Sequence, residues 1–310
     1  MASVWIISDG KPGHYNQSLG LAQALQRRKL DITIEHLAPL TKIQGLFALL
    51  RGLFPGSESL SKPDFILAAG HATHLSLLAA GRAIKAKTVV LMRPSLPLSW
   101  FDYCLIPQHD NPPERKNIIA TCGALNVMRA EARQRNTGIL LIGGPSAHFG
   151  WNQESLLAQV NTLVKEPREW LLTTSRRTPK ETVEALMMLK ADNLSVVPFE
   201  QTAPGWLSEN LPGKEVCWVT ADSVSMVFEA LTSGCKTGIL PVPEIKQTRV
   251  VRGQKRLVEQ QLVGHYDGLG SSGKLPVASG FNEAERCADI ILGASSAGSS
   301  FENDSAIKEE

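Results

Sequence analysis

The chain of 310 residues carries 32 basic and 30 acidic side chains, a formal charge of +2. That balance excludes the broad basic surface on which non-specific nucleic-acid binding depends. A composition of 43% hydrophobic and 20% charged residues, with 25 glycines and 18 prolines, excludes collagen, coiled coil and wholesale disorder. At about 150 residues per domain the length implies two domains, each with its own core, and a cleft between them. The five cysteines, Cys104, Cys122, Cys217, Cys235 and Cys287, are scattered and form no Cys-x-x-Cys pair, so neither zinc nor redox chemistry is suggested and a reducing cytoplasm fits best. The opening run reaches Asp9 too soon for the apolar region of a signal peptide. Phe65 to Gly81, the longest charge-free apolar stretch, is interrupted by Gly70, His71, Thr73 and His74, and reads as a strand and a helix rather than a membrane span.

Short β-branched or apolar runs that end at glycine, serine or aspartate alternate with helical patterns, the signature of parallel α/β sheets. In the first half strands are expected at Val4 to Ile7, Asp31 to His36, Phe65 to Ala69, Thr88 to Met92, Tyr103 to Ile106 and Ile118 to Ala120, with a helix from about Asn16 to Arg28. The polar stretch Arg129 to Asn136 marks a domain link, which gives a first domain over residues 1–130 and a second over 137–293. Strands of the second are expected at Gly138 to Ile142, Glu169 to Thr173, Leu194 to Val197, Glu215 to Val219 and Thr237 to Leu240. Residues 294–310, rich in serine, alanine, glycine and glutamate, read as a disordered tail.

Open α/β sheets bind ligands at the carboxyl ends of their strands, so the residues just after each strand are where chemistry is to be sought. After the first strand comes Ser8-Asp9-Gly10-Lys11-Pro12-Gly13-His14-Tyr15-Asn16-Gln17, a loop leading into a helix, either an anion or sugar cradle or a polar βα turn. It lacks the dinucleotide fingerprint and the Walker loop. His14 is the general-base candidate of this half, because an imidazole is the side chain that can accept a proton from an attacking hydroxyl near neutral pH. His71 and His74 could share a helical face as metal ligands, but no carboxylate or cysteine completes the set, so no metal is expected and capping with one cleft-facing histidine is favoured. Arg93-Pro94-Ser95 follows the fourth strand and can meet the same cleft.

In the second half Gly143-Gly144-Pro145-Ser146 is either a glycine turn or a phosphate contact, and His148 in place of the last glycine of Gly-x-Ser-x-Gly rules out a hydrolase elbow. Thr178 and Glu181 match a capping box with Pro179 at the first helical position, which puts Ser175, Arg176 and Arg177 beside a helix N-terminus, where a diphosphate would relieve the repulsion between two arginines. In the segment Thr220 to Gly234, Asp222 is expected to cap a helix and Gly234 to end it. Val224, Val227, Phe228 and Leu231 then face the core, while Ser225 and Glu229 share another face, next to Ser223 and Met226. Glu229 is either an ordinary exposed glutamate or the acceptor of two hydrogen bonds from a ribose diol. Lys246, Arg249, Arg252, Lys255 and Arg256 form a basic cluster that reads by default as a solvated helix face, the alternative being that one or two of them reach a phosphate or a membrane-surface anion.

The stretches SDGKPGHYNQSLGL, LIGGPSAHFGW, TTSRRTP and TADSVSMVFEAL, in that order between Val4 and Leu292, resemble motifs of the elongated-mitochondria family of mitochondrial fission factors and its bacterial relatives. That family resembles glycosyltransferases of the GT-B class, so the resemblance implies two Rossmann-like domains facing each other across a nucleotide-sugar cleft. The segment around Glu229 is similar to the donor helix of the transferase that adds N-acetylglucosamine to the peptidoglycan lipid precursor, where a glutamate holds the ribose. A glycine-rich first loop with a histidine is also part of that enzyme, and His14 stands comparably.

The leading expectation is therefore a metal-independent glycosyltransferase with no cofactor, the nucleotide diphosphate sugar being a substrate. Gly143, Gly144, Ser175, Arg176, Arg177, Thr220, Asp222, Ser223, Ser225, Met226 and Glu229 are the donor candidates. His14 or Asp9 would be the base, with Gly10, Gly13 and His71 on the acceptor side. The alternatives are a non-catalytic adaptor of the fission-factor type and a nucleotide-sugar epimerase. The acceptor is unknown, a lipid-linked one being an option. The run Leu46, Phe47, Leu49, Leu50, Leu53, Phe54 hints at peripheral membrane contact, or is a buried helix.

Overall fold

The computed structural model describes residues 2–28 and 32–293. The first domain runs through β1 (Ala2–Ile7), α1 (Pro12–Arg28), β2 (Ile32–Leu37), α2 (Lys42–Arg51), β3 (Phe65–Ala69), α3 (His74–Ile84), β4 (Lys87–Leu91), β5 (Tyr103–Pro107) and β6 (Ile118–Thr121). The second comprises β7 (Gln134–Leu141), α4 (Gln153–Leu163), β8 (Glu169–Thr173), α5 (Lys180–Met187), β9 (Leu194–Val197), α6 (Trp206–Asn210), β10 (Lys214–Thr220), α7 (Val224–Thr232), β11 (Lys236–Leu240), α8 (Arg249–Glu259) and β12 (Gly264–His265), followed by α9 (Glu283–Leu292).

Each domain holds one six-stranded sheet, and every strand pair is parallel. The strands are apolar on both faces because helices cover both. Along β3, Phe65, Leu67 and Ala69 enter one core while Ile66 and Ala68 enter another. Along β7, Ile139 and Leu141 likewise separate from Leu140. The sheet orders are β2-β1-β3-β4-β5-β6 and β12-β11-β10-β7-β8-β9. The winding reverses between β1 and β3 in the first and between β7 and β10 in the second. A crevice opens at the carboxyl end of a sheet at such a switch point. This pair of Rossmann-like domains is the GT-B fold.

All eleven expected strands are present, and Asp31, where the second was to begin, lies outside the described residues. The two-residue β12 was not expected, being too short to carry a period. The helix expected from Asn16 begins at Pro12 instead: proline suits the first helical position, so Gly13 and His14 lie in the first turn rather than in a loop. β7 also begins earlier than Gly138, taking Gln134 to Asn136 out of the expected link, because the Gln134 amide donates to the Gly213 carbonyl at 2.7 Å. Residues 294–310, expected to be disordered, lie outside the described residues.

The expected span of 137–293 contains one helix that crosses back. Ala284, Cys287, Ala288 and Ile291 of α9 join Leu21 and Leu25 of α1 in the first domain's core. Arg27 pairs with Glu285, and Arg28 with Glu285 and Asp289, along the rim of this contact. Arg286 donates to the Ala120 carbonyl and to Glu283, whose carboxylate also accepts from the Cys122 amide. The connection between the domains is held by close approach: an added Cβ on Gly20 would stand 2.2 Å from the Asn126 carbonyl oxygen, and one on Gly123 would stand 2.1 Å from the Phe228 ring. Backbone cannot rotate away as a side chain can. Gly20→Ala is therefore expected to destabilise the fold by about 1–3 kcal/mol, whereas Gly13→Ala, with open space at its Cβ, should leave stability unchanged or raise it slightly. Urea unfolding of the two variants beside the parent checks this, and equal midpoints would remove the close contact as a constraint.

Candidate functional site

At the first switch point the chain leaves β1 through Ser8 and Asp9 and enters α1 at Pro12, so Asp9 and His14 lie five residues apart around one tight corner. The Asp9 carboxylate accepts from the Lys11 amide at 3.2 Å and meets His14 Nδ1 at 3.0 Å through each oxygen. Asp9 is nearly buried, its side chain 8% exposed. Burial raises its pKa, but the Lys11 amide, His14 and the Lys11 charge outweigh this and hold it below the ordinary value. An ionised carboxylate only accepts, so Nδ1 carries a proton and donates to it, and Nε2 is the ring nitrogen not engaged by Asp9. Gly70, at the end of β3 with φ +92°, closes against this pair; a Cβ there would stand 2.5 Å from His14 Nδ1.

The pair borders a cavity of about 800 Å³, lined also by Lys11, Lys42, His71, His74, Arg93 and Ser95. His71 is exposed at its rim, and His74 is buried beneath, with Nδ1 3.3 Å from Ser95 Oγ. Burial and then His71 lower the His74 pKa, so this imidazole is neutral at pH 7. Neither histidine caps a helix by its side chain, which corrects that expectation. Arg93 donates from Nη1 to the Asp110 carbonyl at 2.8 Å. Among the described residues no group of three His, Cys, Asp or Glu side chains could hold a metal ion.

At the second switch point the Gly143 amide donates to Thr220 Oγ1 at 2.8 Å and the Gly144 amide to Asp222 Oδ2 at 2.9 Å. Side chains at these glycines would collide with Asp222, Ser223 and the Arg177 carbonyl. Asp222 therefore does not cap α7, as expected from its position, but joins the ends of β7 and β10. The same oxygen receives Arg177 Nη2 at 2.6 Å and the Ser223 hydroxyl at 3.1 Å, while Arg177 Nη1 donates to the Gly144 carbonyl at 2.7 Å. Arg177, expected to be available to an anion, is thus bound into the loop it would have served. The capping box is absent too: the Thr178 hydroxyl donates to the Gly143 carbonyl at 2.5 Å and no side chain caps α5. Arg176 is exposed and lies 5.9 Å over the Phe199 ring.

On α7, Val227, Phe228 and Leu231 enter the core, Ser225 is exposed and Met226 is half-buried, as the spacing predicts. Glu229 is also half-buried, and among the described residues no side chain or amide bonds its carboxylate. Burial pushes its pKa up to about 7. The basic cluster lies on and before α8, where Arg249 meets Asp110 at 3.5 Å and Lys255 meets Glu244 at 3.1 Å.

Sequence reasoning named Asp9, His14, His71, His74, Arg93 and Ser95 but missed the coupling of the first two, and it missed Lys42 as a cavity wall. The five-residue interval across a strand end and a Pro-initiated helix was the signal for the pair. The cavity walls come from separate elements and leave no local trace.

No described helix is long and apolar enough to cross a membrane. In fold the chain is similar to a structure described as a UDP-N-acetylglucosamine 2-epimerase of Listeria monocytogenes, with TM-score 0.55, 13% identity, and 94% of this chain and 95% of that one covered. It is also similar to UGT2 of Phytolacca americana, complexed with UDP-2-fluoro-glucose and pterostilbene, with TM-score 0.50, 8% identity, and 95% and 91% covered. In sequence it is 24% identical to the uncharacterized protein RP120 of Rickettsia prowazekii over 93% of this chain and 97% of that one. The mitochondrial fission ELM1 family model matches residues 12–294, nearly the whole of the two sheets and the returning helix, and the chain belongs to that family.

Proposed function

We propose that the chain is a metal-independent glycosyltransferase that binds a nucleotide diphosphate sugar on its second domain and an acceptor hydroxyl in the cavity of its first. The observation that carries this reading is the Asp9–His14 pair at the β1/β3 switch point, with Nδ1 held by the carboxylate and Nε2 left to a cavity of about 800 Å³. His14 Nε2 takes the acceptor proton as the hydroxyl attacks the anomeric carbon, and Asp9 stabilises the imidazolium that forms. Glu229 accepts from the ribose diol. Arg176, Ser175, Ser223, Ser225 and the Gly143–Gly144 loop, which Thr220 and Asp222 hold, meet the departing diphosphate, with Arg177 fixing the loop rather than touching the ligand. The nucleotide sugars named with the Listeria and Phytolacca structures support the class of donor, not its base or sugar. An adaptor reading draws on the family's name, and an epimerase reading on the Listeria likeness. The coupled pair favours a transferase over an adaptor, which has no use for a base.

Titration calorimetry with UDP, GDP, ADP and TDP should find one nucleotide that binds saturably, with affinity reduced about tenfold or more in Glu229→Ala, the loss of charge-assisted hydrogen bonds. Because the ionised carboxylate is the better acceptor, parent affinity should rise with pH through about 7 and flatten above it, while Glu229→Gln should show no such rise. Silence with all four nucleotides moves the reading to the adaptor.

The same glutamate makes a stability prediction that needs no ligand. Its folded pKa of about 7 exceeds the ordinary value of 4.5, so between these pH values the folded chain binds more protons than the unfolded one and stability falls as pH rises. Glu229→Gln should therefore raise the melting temperature above pH 7, by a gain on the order of 2 kcal/mol, and have little effect at pH 4. A loss at pH 8 would show that the carboxylate has a partner.

His14→Ala should lower release of nucleotide from the matching nucleotide sugar, water serving as slow acceptor, by about a hundredfold with donor affinity unchanged. Asp9→Asn should also lower it, through the wrong imidazole tautomer. Equal turnover in His14→Ala removes it as the base, and an epimerised sugar among the products would establish the epimerase.

A further inference from the structure

The α2 helix presents an apolar face that none of the described residues covers. Ile43, Leu46, Phe47 and Leu50 are 70%, 51%, 57% and 66% exposed, and Leu53, just past the helix, is 67% exposed. Gly45 and Ala48, on the opposite side, are buried. A period of 3.6 residues gathers the four exposed helical positions into one stripe of about 100°. The helix is well fixed at both ends: Thr41 and Gln44 form a reciprocal capping box, and Gly52 closes it with φ 65°. Close approach of Gly45 to Leu75 of α3 holds the helix against the domain, a Cβ there standing 3.2 Å from that of Leu75. The stripe therefore faces outward by construction. The run read from sequence as either a membrane face or a buried helix divides accordingly: Leu46, Phe47, Leu50 and Leu53 point out, whereas Phe54 turns back into the core.

The charges on α2 and on the helix it lies against have one sign. By the same period Lys42 and Arg51 flank the stripe on its two edges, and both are exposed. Arg82 and Lys85, at the end of the helix against which α2 lies, are exposed as well. Residues 37–57 and 65–101, which hold both helices, contain no aspartate or glutamate. An apolar stripe edged by long cationic side chains, on helices that carry no carboxylate, is complementary to a surface with an apolar interior and anionic headgroups. At about 15 Å for ten residues the helix is too short to cross a bilayer but suited to lying in its interface. The other basic helix, α8, differs because its apolar residues Val251 and Leu257 are already buried.

We propose that the α2 face docks on an anionic lipid bilayer, Ile43, Leu46, Phe47, Leu50 and Leu53 entering the headgroup boundary and Lys42 and Arg51 meeting lipid phosphates. Lys42 also lines the cavity beside His14, so docking brings the cavity toward the lipid surface and selects acceptors whose hydroxyl is presented there. That last consequence rests on the transferase reading; the docking itself does not.

The test is co-sedimentation of the full chain with vesicles of phosphatidylcholine alone or mixed with phosphatidylglycerol. The parent should sediment with the anionic vesicles, more weakly at high salt and little with the neutral ones. The triple variant Leu46→Ser, Phe47→Ser, Leu50→Ser should lose roughly tenfold or more of this partition, and Arg51→Glu a smaller share, both with unchanged circular dichroism. Phe47→Trp gives a readout that keeps the surface apolar: the emission of this variant should shift to the blue on adding anionic vesicles. A parent that stays in the supernatant, a triple variant that binds as well as the parent, or a Phe47→Trp emission indifferent to lipid would each overturn the proposal. So would light scattering that finds a parent dimer converted to monomer by the triple variant, since a second copy would then own the face. Nucleotide calorimetry on the same proteins, without lipid, reports separately on the donor site.

Discussion

A parallel sheet wound by right-handed crossovers has one place where its helices part to opposite faces, and both candidate crevices of this chain depend on that constraint. Each of its two sheets reverses once. In the first, the reversal lies between β1 and β3, whose following residues are Asp9, His14, Gly70 and His71. In the second it lies between β7 and β10, followed by Gly143, Gly144, Asp222 and Ser223. The strand order alone, determined by apolar runs buried on both faces, gathers residues far apart in the chain in each case. The returning helix α9 then ties the second sheet's chain end to the first sheet's core, and its arginine and glutamate contacts bind the connecting segment at Ala120 and Cys122.

At both crevices glycine is required by neighbours within the protein, before any ligand is considered. A Cβ on Gly70 would displace His14, and one on Gly143 or Gly144 would displace Asp222 or the Arg177 backbone. These glycines let the loops at each crevice interlock. Their presence is thus an argument about precision of placement rather than direct evidence of a phosphate. Arg177 follows the same logic. Its guanidinium neutralises the buried Asp222 and spans Gly144, Pro145 and Ser223, so its removal would leave an unpaired buried carboxylate. Arg176, one residue earlier and exposed, is left as the outward-facing cation of this loop.

The sheets were legible in the sequence because buried parallel strands write themselves as short runs of valine, isoleucine and leucine stopped by polar residues. Phe65 to Ala69 and Leu194 to Val197 are such runs, and both match to the residue. Local polar roles were less legible. Thr178 and Asp222 have the spacing of helix caps, but their oxygens are drawn to the neighbouring strand's loop, a partner that a local pattern does not contain. Pro12 was the better guide to the start of α1 than the polarity around it, since a missing amide proton costs nothing at the first helical position. For α2, periodicity showed that one side is apolar but not whether anything covers it, because that depends on which other elements arrive.

Glu229 shows what a half-buried carboxylate imposes on the fold that holds it. A carboxylate that is half-buried without a donor is held near its neutral form, and ionising it at pH 7 works against folding. Nothing in the packing of α7 demands the charge: Val227, Phe228 and Leu231 satisfy the core on another face, and a glutamine would fit the same space. The adjacent Asp222 is treated oppositely, its charge met by Arg177. Two acidic residues of one segment, one neutralised within the fold and one left waiting, are best understood together. The first fixes the Gly143–Gly144 loop through an oxygen shared with Arg177, Ser223 and the Gly144 amide, and under the proposed function the second would keep an acceptor for the ribose diol, whose binding would recover the stability forgone.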